Sequence, residues 1–241
     1  MIEIPNLVDL IANQNKIYGF FEKDTENIPK SGTEVSKVVK EEEKAYIIGY
    51  AHSYNISDAV EKISDDINEI TPVMKYGTHR GNVHTTLAVI GADSNFNVKK
   101  EVLNRLKKGL ESKINSLSQP EIHYSATYSN KNDVIVIGDY GQAEEDKAKK
   151  YYASYKAVQE VANNVAKEYG LLVKPAKMAH ITVARYLSDI QTGDKKLDRI
   201  KEKLDSTHLD IRSKPQLFIA TYTLKNGEFI FDSVEIIEYI H

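Results

Sequence analysis

Cysteine and tryptophan are both missing from this chain of 241 residues. Without cysteine there is no disulfide, no thiolate nucleophile, and no Cys-ligated zinc or iron–sulfur centre. No apolar run approaches the roughly 18 residues that a membrane span requires. The N-terminus has no basic flank followed by an apolar stretch, so a secretory leader is not expected. Strong charge of one sign is also absent, since 32 basic against 35 acidic side chains leave a net charge of −3. The chain as a whole therefore sets up no attractive field for nucleic acid, and any nucleotide must be held by a local basic pocket. These absences fit a cytoplasmic protein that acts as a monomer, with no membrane partner and no cofactor.

What is present is a globular composition, 41% hydrophobic and 28% charged, on a chain long enough to bury a substantial core. Its aromatic content is dominated by 15 tyrosines, mostly core and surface residues, some of them available to stack on bases. One pattern occurs twice, once in each half: His84-Thr85-Thr86-Leu87 and His180-Ile181-Thr182-Val183. Each sets His and Thr two residues apart inside an apolar or β-branched run. Side chains on a strand alternate faces with a period of two. His84 and Thr86 thus share one face, His180 and Thr182 share another, and Thr85, Leu87, Ile181 and Val183 point to a core.

Histidine has its ordinary pKa near neutrality, so two imidazoles can divide the work of general base and general acid. Placed on either side of a phosphodiester, they support an in-line displacement without a metal, while the two threonine hydroxyls hold the non-bridging oxygens. A single His-x-Thr in a strand is ordinarily just a half-buried histidine. Its recurrence in matching contexts is what points to chemistry.

The two motifs resemble those of the 2H phosphoesterase superfamily. HTTLAVIG at 84–91 is similar to the first motif of its 2′-5′ RNA ligase-like, 2′,3′-cyclic phosphodiesterase branch, and HITVAR at 180–185 to the second. The resemblance implies His84 and His180 as catalytic imidazoles and Thr86 and Thr182 as phosphate binders. It implies opening of a 2′,3′-cyclic phosphate on a nucleotide or RNA end, with hydrolysis of 2′-5′ oligoadenylate or cyclic dinucleotides as the alternative. It extends loosely over residues 45–241 and leaves 1–44 as an extension of unknown role.

Around the motifs, the pattern predicts a helix over 5–15, a strand over 16–21, and a solvated segment over 22–44 that includes the Glu41-Glu42-Glu43-Lys44 run. A strand is expected at Ala45–Ala51, then a helix capped by Ser57 or Asp58 and running to Ile70 on Val60, Ile63 and Ile67. A polar lead over 73–82 precedes the first motif strand (83–90), and its Lys75, Tyr76 and Arg80 are candidate substrate contacts, with His79 a bystander. Further on come a basic helix over 97–114, strands over 121–128 and 133–138, and a long helix over 143–169 closed by Gly170. After the second motif strand, a helix over 194–204 leads to strands 216–224 and 228–234 joined through Asn226-Gly227. Simple alternation along the second motif puts Tyr186 on the His180 face as a wall of the site and turns Arg185 away.

The order of elements predicts an α+β fold, duplicated and two-lobed, with two antiparallel-rich sheets facing a central cleft and helices outside. The lobes divide at roughly 45–128 and 129–241. Two other functional classes compete. A nucleotide or RNA-end binding module would have no reason to keep both proton-transfer groups. A metallohydrolase on His52, His79, His84 and His180 lacks His-x-His or His-Glu-x-x-His spacing, so no metal site is expected.

Overall fold

Among the described residues of the computed structural model every strand pairing is antiparallel, and the two motif strands lie at the centre of the sheet. The structure describes residues 4, 6–12, 43–75, 83–93, 98–129, 133–141, 144–176, 179–187, 195–207, 209–225 and 228–239. In chain order these form α1 (7–12), β1 (Glu43–Ala51), α2 (Tyr54–Asn68), β2 (Val73–Lys75), β3 (His84–Asp93), α3 (Lys100–Ile114), β4 (Ile122–Ser129) and β5 (Asp133–Asp139). They continue with α4 (Glu145–Tyr169), β6 (Val173–Pro175), β7 (His180–Tyr186), α5 (Lys195–Asp205), β8 (Ile211–Ser213), β9 (Gln216–Lys225) and β10 (Glu228–Ile237). The expected strand over 16–21 and solvated segment over 22–42 lie outside the described residues. Glu43 and Lys44, from the charged run, open β1.

The strand order is β10-β9-β1-β3-β7-β5-β4-β8. β3 and β7 meet at a single pair, Thr85 with Ile181. On one side of that junction stand β10, β9, β1 and β3, and on the other β7, β5, β4 and β8. The two short strands are exchanged across it. β6, which leads into β7, pairs with β3 at Ala88–Ile90, and β2, which leads into β3, pairs with β7 at Ala184–Tyr186. Counted from each histidine these are the same positions, the fourth to the sixth. The architecture is thus α+β and antiparallel, as expected, and the duplication appears in the strand pairing.

The sequential division into lobes at 128 and 129 does not match this topology. That boundary falls at the end of β4, within the β4–β5 hairpin, and β9 and β10 return from the end of the chain to pair beside β1. The β3 half of the sheet is therefore assembled from distant segments, with β1 held between β3 on one side and β9 on the other.

Helices cover one face. α3 and α4 pack together over the β3 side, and α2 and α5 lie over β7 and β4. The main core holds Tyr46, Ile48 and Tyr50 of β1, Leu217 and Ile219 of β9, Val102, Leu106 and Leu110 of α3, and Val158 and Val161 of α4. Val60, Ile63 and Ile67 of α2 are buried as their spacing predicts, each contributing about 1.5–3 kcal/mol of burial. α2 begins earlier than expected, with Ser53 at the cap and Ser57 buried inside it. α4 ends on Gly170, whose φ of 68° gives the left-handed turn that glycine adopts most easily. The basic face of α3 is tied down by acids from its neighbours: Arg105 to Glu168 at 3.1 Å, Lys107 to Glu235 at 2.7 Å and Lys113 to Glu160 at 2.6 Å.

On the opposite face, here called the motif face, Ala45, Ile47, Phe218, Ala220 and Tyr222 form a second, smaller apolar cluster. β1 crosses close over β3 at Gly49, where a Cβ would come 2.6 Å from the Thr85 carbonyl oxygen and 3.1 Å from the Phe218 ring. Gly49→Ala is therefore expected to lower the unfolding free energy by about 1–3 kcal/mol in urea titration, because neither backbone nor ring has room to move. An unchanged midpoint would mean that β1 and β3 can separate there at no cost.

Candidate active site

The middle residue of each motif forms the junction. Thr85 pairs with Ile181, and both side chains are fully buried toward the helices. In an antiparallel pair the flanking residues point to the other face and oppose one another in reverse order. His84 therefore stands across from Thr182, and Thr86 across from His180, all four on the motif face. His84 is 9% exposed, and Thr86, His180 and Thr182 are half-buried. The two histidines are diagonal neighbours, a relation that sets Cβ atoms about 7–8 Å apart. Each imidazole thus has the threonine of the other motif directly across from it.

A β-bulge follows each motif at the same distance. The β1–β3 register shifts between Ile48 with Ala88 and Gly49 with Thr86, leaving Leu87 as the extra residue. The β5–β7 register shifts between Val134 with Ala184 and Ile135 with Thr182, leaving Val183 as the extra residue. Each is the third residue after its histidine. A bulge inserts one residue and reverses the alternation beyond it. Ala184 and Tyr186 thus turn into the core and Arg185 comes to the motif face, as the burial along β7 records.

This corrects the sequence reading. Tyr186 is no wall of the site: it is 1% exposed, and its hydroxyl meets Ser129 Oγ at 2.6 Å. Arg185 is the residue that alternation missed. The available signal was the adjacent apolar pair in each motif strand, Leu87-Ala88 and Val183-Ala184, which breaks a strict period of two. On β3 the position matching Arg185 is Val89, so the cation has no counterpart on the other side. Lys75 ends β2 in register with Ala184, a position on the helix face of β7. Tyr76, His79 and Arg80 lie outside the described residues.

The surroundings of the two histidines differ. His84 meets two phenylalanine rings edge-on, Phe218 at 6.0 Å and Phe231 at 5.3 Å between centroids. Beyond His180 the register runs through Ile137 and Ala126. Charged residues follow, with His123 in register with Asp139 and Arg212 and its Nε2 2.6 Å from Asp210 Oδ1. Among the described residues no group of three His, Asp or Glu side chains converges as a metal site, and no helix is long and apolar enough to cross a membrane.

Beneath the junction, on the helix face, lies a polar cluster that the sequence did not announce. His52 Nε2 is 3.0 Å from Thr85 Oγ1 and 3.2 Å from the Tyr124 hydroxyl, and the two hydroxyls are 2.7 Å apart. The Tyr124 ring also meets the imidazole edge-on at 5.0 Å. Burial, and then the charge of nearby His84, push the His52 pKa down to about 3. Burial also raises the Tyr124 hydroxyl well above its ordinary value, with the Thr85 hydrogen bond acting against it. Both groups are therefore uncharged across the physiological range.

A histidine held neutral in the native state gains its proton in the unfolded chain first. Below the ordinary value of 6.5, stability falls by about 1.4 kcal/mol per pH unit on account of His52 until pH about 3. Above 6.5 the residue contributes no slope. His52→Gln should remove this component, so the stability difference between wild type and variant narrows as pH drops from 6.5 to 4. Parallel curves in denaturant titrations across that range would show that His52 is protonated in the native state.

No family model matches the chain, and no curated protein matches it. Among solved structures it is similar to the crystal structure of TT0787 of Thermus thermophilus, with a TM-score of 0.48 and 10% identity over 82% of this chain and 100% of that one.

Proposed function

We propose that the chain is a metal-independent phosphodiesterase acting on a nucleotide or RNA-end phosphodiester, with His84 and His180 as its acid–base pair. The observation that carries this reading is the Thr85–Ile181 pair, which sets both His-x-Thr motifs on one face in mutually inverted order. In the reaction that the motif resemblance favours, water attacks the phosphorus of a 2′,3′-cyclic phosphate. One imidazole takes the water proton as the P–O bond forms, and the other gives a proton to O3′ as the P–O3′ bond breaks. The product is a 2′-phosphate, and the two histidines have exchanged protonation states. They return to the starting arrangement through solvent, and either direction of the reaction uses the same pair.

Thr86 and Thr182 are the hydroxyl donors to the non-bridging oxygens, where charge builds in the transition state. Arg185 adds a guanidinium on the motif face of β7, suited to a phosphate oxygen. An opposite arrangement, a module that only binds nucleotide or RNA ends, would leave the second histidine without a task.

The test is turnover by the purified protein, with chelator present, of nucleoside 2′,3′-cyclic phosphates, 2′-5′ oligoadenylate and cyclic dinucleotides. One class is expected to be hydrolysed, with 2′,3′-cyclic phosphates first. His84→Ala and His180→Ala should each lose about 10²- to 10⁴-fold in kcat. Arg185→Ala should lose roughly 10- to 100-fold in kcat/KM, the scale of one hydrogen bond to a charged group, whereas Tyr186→Phe should retain the wild-type rate. Binding of these nucleotides without turnover would replace the hydrolase by the binding module. Activity lost to chelator would overturn the proton-transfer mechanism.

A further inference from the structure

The two motif strands β3 and β7 share one pair of residues, Thr85 and Ile181, and the spacing of His84 and His180 depends on that contact. The exchanged strands β6 and β2 hold β3 and β7 beyond the junction, but at the motifs themselves one bridge leaves the angle between the two strands to whatever packs beneath it. Under that point, a polar connection spans the halves. Thr85 belongs to β3 and His52 follows β1, both in one half, while Tyr124 belongs to β4 in the other. The Tyr124 hydroxyl reaches across to Thr85 Oγ1 at 2.7 Å and lies 3.2 Å from His52 Nε2.

We propose that Tyr124, Thr85 and His52 form a polar clamp beneath the strand crossing that fixes the spacing of the two motif histidines, making Tyr124 and His52 positioning residues for the reaction. This rests on the reading of His84 and His180 as the acid–base pair. The chemistry of the three groups suits the task. With Nε2 unprotonated, Tyr124 donates to Thr85 and Thr85 donates to His52, so that each hydroxyl proton has an acceptor. Such a chain is directional and closes only when all three groups are in place. Burial sharpens the requirement, since Thr85 and Tyr124 are both fully enclosed and a lost partner leaves a polar atom with no water to replace it. The clamp touches neither substrate nor phosphate. It acts through the Thr85 backbone, whose two neighbours in sequence are His84 and Thr86.

An alternative explanation is that the cluster only satisfies polar groups in the core. The two differ in what happens at the junction. Tyr124→Phe and Thr85→Val remove a hydroxyl with little change of shape, and Thr85→Ser restores one. Amide hydrogen exchange, followed residue by residue, reads the junction directly and needs no substrate. In Tyr124→Phe and Thr85→Val, exchange at residues 84–86 and 180–182 should rise at least about tenfold, with β9 and the α4 helix unchanged, and Thr85→Ser should stay close to wild type. With the hydrolysed substrate, kcat should drop roughly 10- to 100-fold, the cost of a misplacement on the order of 1 Å, while KM stays within about threefold. The double variant Tyr124→Phe/Thr85→Val should be no slower than Thr85→Val, because one unit is broken once.

Exchange that rises evenly over the whole sheet, or not at all, would overturn the clamp and leave a core contact. An inert wild-type protein would sink the proposed activity alone, and the exchange pattern would then decide the clamp by itself.

Discussion

The antiparallel contact between Thr85 and Ile181 is the constraint on which the rest of the molecule depends. It is one residue pair in the described sheet, and it sets the register of both motifs. A slip of one residue in either strand would turn its histidine and threonine into the helix-covered core and expose Thr85 or Ile181 in their place. What prevents the slip is the exchange of short strands. β6 fills the edge of β3 just beyond the junction and β2 fills the edge of β7, so each motif strand is held by the segment that leads into the other. The halves of the sheet therefore cannot be drawn apart without breaking pairings on both sides.

The bulges belong to the same arrangement. Leu87 and Val183 each release a strand from regular pairing three residues after its histidine, at the place where the short strand takes over the inner edge. The freed Leu87 carbonyl is not left bare: the buried Gln159 donates to it from α4 at 2.8 Å, and the Ala176 amide donates at 2.9 Å. A polar side chain on the buried face of a helix is costly unless it is satisfied. Here it has a single task, which is to hold the backbone just past Thr86. The longest helix thus packs on the sheet and also supports the geometry of the first motif.

Those parts of the fold that have strong local periodicity were legible in the sequence. β1, β3, the β4–β5 and β9–β10 hairpins, and α4 with its glycine stop all fall within a few residues of expectation, because alternation, helical spacing and turn residues act over short distances. β2, β6 and β8 were not legible. Each is three residues long, too short for a period to show, and each exists because a distant strand offers an open edge. The start of α2 was misplaced for a related reason: Ser57 has the chemistry of a cap but sits inside the helix, where tertiary packing accepts it. The site divides in the same way. The four motif residues stand together as the pattern implied, whereas the exchange of Tyr186 for Arg185 follows from a bulge that pairing alone creates. His52 entered the sequence reading only as a possible metal ligand, since its contact with Tyr124 joins residues distant in the chain.

The duplicated backbone leaves the two histidines in equivalent places, so any difference between their roles must come from side chains around them. Those differ strongly. Val89 stands on β3 where Arg185 stands on β7, the rings of Phe218 and Phe231 stand against His84, and His123, Asp210 and Arg212 lie further along the sheet beyond His180. An apolar ring is best desolvated on the first flank, and an anionic or hydroxylated group is best matched on the second. In the proposed function, a substrate with one aromatic end and one charged end would have a preferred way round between two nearly symmetric motifs. Symmetry of the backbone supplies the pair of histidines, and asymmetry of the flanks distinguishes them.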